Sequence, residues 1–432
     1  MHILKKGDTL QYLLYNIFFI SLTFSFRAIT TISIILILIT TFVKNRSDNA
    51  SWINHHANLK FLLACMLFYG IQLMSLLHTH NISETVKYIR IQSTLIILPL
   101  ALGGNNFIHA PSYQRLMRSF IYILCAAMFY CFLLAFYKFF FLHRLNAAFF
   151  YHELVSPLNQ NAIVVSILLF TAFIHLAEKT RKMIIPAIGT LDLLLICFLL
   201  ICIILLSSKL IIIFLCVYLV YFSIVMFKRY GKSNKIIIGL LVVSLVMVSL
   251  LFTQNPVGNR FREMISGKFN LNRQEHFSPD VYFNGLQFRA LQWRFVTEIL
   301  NEKKAWLIGV STGDGQALLD EKYISTNMYT GDGSSDSGYK GYDTHNQFLE
   351  ALLQSGIPGL LSVLYICYWM IRLAINRRRL ELTVIVLLLC AYAFVESCFQ
   401  SQYEILIFIF LPLFIYYGTE DKKDEVKKTI NP

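Results

Sequence analysis

Charged residues are scarce in this sequence, at 15% of its 432 residues, whereas about 25% is usual in soluble domains. Hydrophobic residues make up 56%. Apolar stretches of about 17–25 residues separate the charged clusters, and each is long enough to cross a hydrocarbon core about 30 Å thick. The sequence therefore predicts an all-α polytopic membrane protein, because a soluble core does not need so many such stretches.

Signatures of metal, redox and nucleotide chemistry are also missing. The nine cysteines include no CxxC pair and lie in or beside apolar runs, so they indicate small buried side chains. The histidines, His78 and His80 among them, lack zinc-ligand spacing, and no P-loop is present. We expect no metal and no cofactor. The net charge of +13 is attributed to basic cytoplasmic loops, not to nucleic acid.

Hydropathy predicts about twelve membrane-spanning helices, most of them joined by short connections. The fourth is the shortest and ends at a Gly-Gly pair. The predicted positions are residues 9–26, 28–44, 58–77, 92–104, 117–141, 160–177, 187–207, 208–227, 235–253, 357–375, 382–399 and 403–418.

Basic residues set the predicted orientation. With the N-terminus in the cytoplasm, every connection on that side carries lysine or arginine, as the positive-inside rule requires. No small-residue cleavage site follows the first apolar run, so it is expected to stay as a helix. We therefore expect a bacterial inner-membrane protein with both termini cytoplasmic. The predicted divisions are spans one to nine in 1–253, a large periplasmic loop in 254–356, spans ten to twelve in 357–420 and a basic tail in 421–432.

The stretch DTHNQFLEALLQSGIPG closes the large loop and carries the sharpest local signal. Thr344 and Gln347 have the spacing of a capping box, which predicts a helix over 345–355. Gly356 suits the position after its end, and Pro358 suits the first turn of span ten. His345 then lies at a helix start, where the dipole favours anions and lowers a histidine pKa. A bound phosphate opposes that shift. The alternative is a polar cap at the membrane interface.

Three motifs resemble those of bacterial O-antigen ligases and polymerases. HNQFLEALLQSGIPG is similar to the family's His-Asn helix followed by Gly-x-x-Gly. RALQWRFVTEILNEKKAWLIGVSTGDG resembles its Arg-x-x-x-Trp helix and glycine turn, with Arg289, Trp293 and Gly309 in the matching positions. LLSSKLIIIF resembles a Ser-Arg pair at the outer start of a span, with Lys209 replacing the arginine. A lysine keeps the charge but loses bidentate phosphate binding.

This resemblance implies transfer of a glycan from undecaprenyl diphosphate on the outer face of the inner membrane, without metal or nucleotide. It also implies a fold similar to that of GT-C-type glycosyltransferases, which likewise use lipid-carried donors. A ligase passes the glycan to the lipid A-core oligosaccharide, and a polymerase passes it to another repeat unit. The well-formed His-Asn motif favours the ligase, with the polymerase as alternative. The expected partners are the lipid-linked donor, the lipid A-core acceptor and membrane lipid.

The resemblance and the chemistry of the reaction suggest site residues. His345 is the expected catalytic base or acceptor-orienting group, and Arg289 the expected stabiliser of the leaving diphosphate. Glu396 and Glu404 flank the last outer turn and are expected to support the site through an ion pair with Arg289 or Lys209. The expected substrate-binding residues are Lys209, Asn346, Trp293 and Arg294. Arg294 lies about 100° around the helix from Trp293, so its side chain leaves the helix in a different direction.

Two alternatives from other classes remain open. About twelve spans also suit a flippase or secondary transporter, but such proteins usually show two repeated halves with charges at the membrane midplane. Here the large loop follows span nine, and no repeat is visible. The other alternative is a membrane protein whose outer loop only binds partners, which a transfer assay separates from an enzyme.

Overall fold

The computed structural model describes residues 6–47, 56–103, 107–142, 146–182, 189–230, 258–259, 262, 274–332 and 336–418. Within these residues the regular elements are helices, and no strand occurs. The first ten α-helices are α1 (Lys6–Thr23), α2 (Arg27–Ser47), α3 (His56–Met74), α4 (Ile82–Gln92), α5 (Thr94–Gly103), α6 (Ala110–Phe141), α7 (Tyr151–Val155), α8 (Ala162–Lys182), α9 (Thr190–Leu206) and α10 (Lys209–Tyr230). The others are α11 (Gly285–Glu302), α12 (Gly315–Ser325), α13 (Gln347–Arg377), α14 (Leu380–Val395) and α15 (Gln402–Gly418).

The chain is an all-α polytopic membrane protein. By length and composition, 7 described helical segments can cross a membrane, and α9, α14 and α15 are shorter apolar helices. Each predicted span coincides with a described helix except the ninth, 235–253, which lies outside the described residues. The total of twelve stays a prediction. The fourth span is longer than predicted, because α4 and α5 together give an apolar segment over Ile82–Gly103.

Aromatic packing fills the centre of the helical bundle. Phe18 lies 4.7 Å from Phe410 between ring centroids, and Phe19 lies 5.0 Å from Phe120. These rings join α1 and α6 to α15, whose residues beyond its first turn are all buried. On the outside of the bundle large apolar side chains are exposed, among them Val217 at 65%. Such a surface suits hydrocarbon rather than water.

Residues that the charge pattern assigns to the cytoplasmic side lie together at one end of the bundle, here called the far end. The phenol of Tyr113 donates a hydrogen bond of 2.8 Å to Glu381, and His175 contacts the same carboxylate oxygen. Tyr12, near the start of α1, is bonded to Ser119 on α6. The opposite end, where α11 and α12 lie, is here called the loop end.

A second hydrophobic cluster lies outside the main core and belongs to the described part of the large loop. It combines buried side chains from α11, α12 and the first half of α13 with others from the segments between and before them, such as Phe283 and Met328. Phe288 and Phe295 of α11 pack against the buried ring of Tyr323 on α12, with centroids 5.8 and 5.9 Å apart. Leu353 of α13 belongs to the same cluster. The first half of α13 therefore connects the loop to the bundle.

Two glycines allow the turn after α11 to lie directly on α13. Gly309 and Gly356 both have positive φ angles, of 72° and 64°. A Cβ atom on Gly309 would overlap the backbone of Gln354, and one on Gly356 would lie 2.5 Å from the carbonyl carbon of Leu307. The amide of Val310 donates to the Leu353 carbonyl at 2.8 Å. The break predicted at Gly356 is thus present as a kink within α13.

Candidate active site

The His345 segment enters α13 differently from the prediction. The N-cap is Asn346, whose side-chain oxygen accepts from the amides of Phe348 and Leu349, so the predicted capping box of Thr344 and Gln347 is wrong. The Thr344 hydroxyl is bonded instead to a carboxylate oxygen of Glu350 at 2.8 Å. His345 therefore lies before the helix, with a left-handed φ of 45°.

This conformation directs the imidazole of His345 to a carboxylate. Nδ1 lies 2.8 Å from Oε2 of Glu396, and the carboxylate of Asp343 is 3.7 Å away. Burial lowers the His345 pKa, but the hydrogen bond and charge of Glu396 and the charge of Asp343 outweigh it, so the pKa is raised. The expectation of a dipole-lowered pKa is wrong, because the ring is not in the helix and has acidic partners.

Arg289 reaches the same carboxylate from α11. Asn284 starts this helix with a capping box completed by Gln287, and Arg289 lies in its second turn. The guanidinium donates to Oε1 of Glu396 at 3.0 Å and to the carbonyls of Val395 and Gly285, both at 3.2 Å. Since Arg has five N–H donors, others remain for a ligand. Glu396 thus joins Arg289 and His345 by one oxygen each.

Glu396 can contact both Arg289 and His345 because it lies directly after the end of α14. It is the C-cap residue of α14, with an extended backbone, and its amide is bonded to the Tyr392 carbonyl at 2.9 Å. The chain then turns through 397–401 before α15. A carboxylate at this position faces both the first turns of α11 and the segment before α13. Carboxylates near a membrane surface are costly unless paired, and both oxygens here have cationic or hydrogen-bonding partners.

A buried polar network fixes the backbone around the histidine. Ser397 donates to Asp343 at 3.1 Å and accepts from the amide of Asn346 at 3.2 Å. Asp343 also accepts from the amide of His345 at 2.9 Å. The pKa of Asp343 is raised, chiefly by burial, with the charge of His345 opposing the shift. The turn after α14 and the segment before α13 therefore hold each other in place.

Among the other predicted residues, Trp293 and Asn346 lie beside the site and have structural contacts, whereas Arg294 is directed away from it. Trp293 packs edge-on against Phe394 at 5.6 Å, which anchors α11 to the end of α14. Asn346 is 2% exposed and its side-chain oxygen is used by the cap. Arg294 points elsewhere, because its guanidinium is paired with Glu298 at 2.8 Å. The structure thus separates Arg294 from Arg289, although the sequence analysis assigned both to the substrate.

Lys209 and Glu404 each lie at the start of a helix. Lys209 is the first residue of α10, after a left-handed Ser207, and is partly exposed. Helix α10 packs against α14, which ends one residue before Glu396. Glu404 lies in the first turn of α15. Neither has a described hydrogen bond to Arg289 or His345, so their predicted roles stay predictions.

Sequence reasoning missed Asp343, Ser397 and Glu350. Asp343 precedes His345 by two residues, which is a usable signal for a side chain that bonds a nearby backbone amide. Ser397 follows Glu396 directly, and no local pattern indicates that it contacts a residue more than fifty positions away. Glu350 resembles an ordinary helical glutamate, yet it is 4% exposed.

Glu396 links the imidazole of His345, which can act as a base, to the guanidinium of Arg289, which can bind an anion. When Nδ1 donates its proton to Glu396, Nε2 carries the lone pair, and no described residue is bonded to Nε2. A carboxylate behind an imidazole orients it and stabilises its cationic form. Among the described residues, no group of three or more His, Cys, Asp or Glu side chains is arranged as a metal site.

Comparison with models of protein families found a match within the chain. Residues 193–364 match the family model described as O-antigen ligase, a segment that includes Arg289 and His345 but not Glu396. A comparison with curated proteins found no match. The members of this family are glycan-processing enzymes embedded in membranes, with lipid-linked glycan substrates. The match over 193–364 and the meeting of the Arg and His motifs at one carboxylate support the resemblance of this chain to the O-antigen ligase and polymerase family.

Proposed function

We propose that the protein is an O-antigen ligase, which transfers glycan from undecaprenyl diphosphate to the lipid A-core oligosaccharide. The observation that supports this most is the bridge from Arg289 through Glu396 to His345. The reaction needs a base for a sugar hydroxyl and a cation for a departing diphosphate, and the bridge holds one of each.

The proposed step is a direct displacement at the anomeric carbon of the donor. The acceptor hydroxyl oxygen forms the new bond to that carbon, and its proton passes to Nε2 of His345. The bond from the carbon to the diphosphate oxygen breaks, and its electron pair leaves on the diphosphate. Attack opposite the leaving group inverts the anomeric centre. No metal takes part in this proposal, and Glu396 stabilises the imidazolium that forms.

Arg289 is proposed to stabilise the departing diphosphate. Its guanidinium is fixed by two backbone carbonyls as well as by Glu396, so little reorganisation is needed when negative charge develops. Lys209, at the start of α10, supplies a second positive charge in this proposal. Helix α10, which begins with Lys209, packs against α14, and Glu396 lies directly after the end of α14.

The proposed location is the bacterial inner membrane, with both termini cytoplasmic and the loop end in the periplasm. Basic side chains support this orientation, since Arg115, Arg118 and Lys179 lie at the far end. Residues 254–356 are proposed as the periplasmic loop and 421–432 as a cytoplasmic tail. Labelling of a cysteine introduced at the exposed Tyr282 tests the orientation, because a membrane-impermeant reagent should reach it only from the periplasm.

Deletion of the gene in its host, followed by a gel of the lipopolysaccharide, tests the reaction. A ligase deletion leaves core-only lipid while long chains accumulate on the carrier. Core bearing one repeat unit would instead identify the repeat-unit polymerase of the same family. Purified protein with lipid-linked glycan and acceptor separates both enzymes from a transporter or a partner-binding protein, because neither of those forms a glycosidic bond.

A further inference from the structure

A cavity of about 200 Å³ lies at the far end, between α6, α8 and α9, away from the candidate active site. Its polar wall includes Arg115 and Arg118, which lie one turn apart on α6 and are both exposed. No ion pair of either guanidinium occurs among the described residues. Lys179 and Asp192, also on the wall, neutralise each other at 2.6 Å. The cavity therefore has two uncompensated positive charges.

A buried histidine forms the inner wall of this cavity. His175 is 5% exposed, and its Nδ1 lies 2.8 Å from Oε1 of Glu381. Tyr113 donates to the same oxygen at 2.8 Å, which fixes the carboxylate. The other ring nitrogen, Nε2, has no partner within the described part of the chain. A ring held by Nδ1 and unpartnered at Nε2 is placed to donate to an anion when it is protonated.

The other walls of the cavity are apolar. Ile121, Tyr122, Leu176 and Leu195 line it beside the polar groups. Tyr122 is 43% exposed and Leu194, next to Leu195, is 62% exposed, so this side continues onto the outer surface of the bundle. The same cavity thus contacts both a cationic wall and the surface that hydrocarbon covers. This combination suits an amphiphile with an anionic head.

We propose that this cavity binds the phosphate of an anionic phospholipid, held by Arg115, Arg118 and Nε2 of His175, with the acyl chains along Tyr122 and Leu194. The site is independent of the glycan transfer proposed at the loop end. Basic pockets between membrane helices are suited to lipid head groups, and we expect each arginine that contacts the bound head group to contribute about fivefold to the affinity.

Lipid binding to the purified full-length protein tests this site. Native mass spectrometry would be used to compare phosphatidylglycerol with phosphatidylcholine at equal concentrations. We expect tighter binding of phosphatidylglycerol, weakened about 25-fold in the double variant Arg115→Gln/Arg118→Gln. The matched control is Arg46→Gln/Arg372→Gln, which removes the same charge from exposed arginines outside the cavity and should keep the preference. Equal weakening in both double variants would overturn the site.

His175→Asn tests the inner wall separately. Asparagine can keep a donor near the position of Nδ1 for Glu381 but has no group at Nε2, so phosphatidylglycerol binding should fall several-fold. If this variant does not fold, the arginine variants still decide the question, because their side chains are exposed. A third experiment adds inorganic phosphate to the protein in phosphatidylcholine nanodiscs and measures its unfolding temperature. A rise in unfolding temperature equal to that given by phosphatidylglycerol would show a free-anion site and overturn the lipid assignment.

Discussion

The two ends of the bundle hold the same pair of groups in different surroundings. At the loop end Nδ1 of His345 lies 2.8 Å from Glu396, and at the far end Nδ1 of His175 lies 2.8 Å from Glu381. The second partner of the carboxylate is the Arg289 guanidinium at one end and a tyrosine hydroxyl at the other.

The surroundings decide what each pair can do. The far-end pair lies inside regular helices, with His175 and Glu381 5% and 8% exposed. At the loop end His345 lies on irregular backbone before a helix, its side chain is 24% exposed, and Glu396 ends a helix. Irregular backbone held by a rigid scaffold is where catalytic groups commonly lie. We infer that the acceptor hydroxyl meets the loop-end imidazole, whereas the far-end imidazole faces the cavity proposed for a lipid head group.

The largest expected effect is that of His345→Ala. Removing the base should lower transfer from a lipid-linked donor by about 10²–10⁴-fold without loss of membrane insertion. His276→Ala, at an exposed histidine of the same loop, is the matched control and should retain activity. Near-normal lipopolysaccharide ladders from His345→Ala would refute its role and remove the functional difference between the two ends.

Arg289→Ala should lower the rate of transfer by about 10²–10³-fold, because the charge on the leaving diphosphate loses its fixed donors. Arg294→Gln is the comparison on the same helix, since that guanidinium is paired with Glu298. The measurement is the initial rate with purified protein, and Arg294→Gln should change it by less than about twofold. Equal losses in both variants would contradict the separation of the two arginines.

Glu396→Gln should reduce activity by about 10- to 100-fold and shift its pH dependence. Glu396 raises the pKa of His345, so neutralising it lowers that pKa. The imidazole then stays unprotonated to lower pH, and the acid limb of the pH–rate profile should move to lower pH. Glu381→Gln should leave that limb in place. A shift with Glu381→Gln would mean that the ends are coupled.

Gly309→Ala should destabilise the loop end by about 1–3 kcal/mol, because alanine at a positive φ is strained and its Cβ overlaps the backbone of α13. Gly103→Ala is the far-end comparison, since a Cβ there meets only the Tyr417 hydroxyl, at 3.3 Å. Unfolding temperatures in detergent measure both. A larger drop for Gly103→Ala would contradict the close approach of the turn to α13.

The smallest effect is expected from Lys209→Arg. If Lys209 acts as a point charge toward the diphosphate, arginine retains that charge, and the transfer rate should stay within about threefold of the original. Lys209→Gln, which removes the charge, should be slower than Lys209→Arg. A correctly inserted but inactive Lys209→Arg would show that the lysine has a more specific geometric role.

The sequence predicted the broad class and the positions of most helices, because hydropathy and length are local properties. It also singled out His345, Arg289 and Glu396, the first two by resemblance and the third as a carboxylate near the membrane surface. It failed at the start of α13, where Thr344 has capping-box spacing but its hydroxyl is bonded to Glu350 and Ser397. Spacing indicates which bonds are possible within a turn, and it carries no information on competing partners from other helices.

What the sequence determined by itself is an apolar, all-helical chain with basic residues grouped between its spans and a polar loop near its end. Only the tertiary structure decided that Glu396 contacts both Arg289 and His345, because these partners lie 107 and 51 positions away along the chain. Hydropathy is a local property and predicts which segments are membrane helices. The contacts among Arg289, Glu396 and His345 depend instead on how helix ends and turns pack against one another in the folded chain.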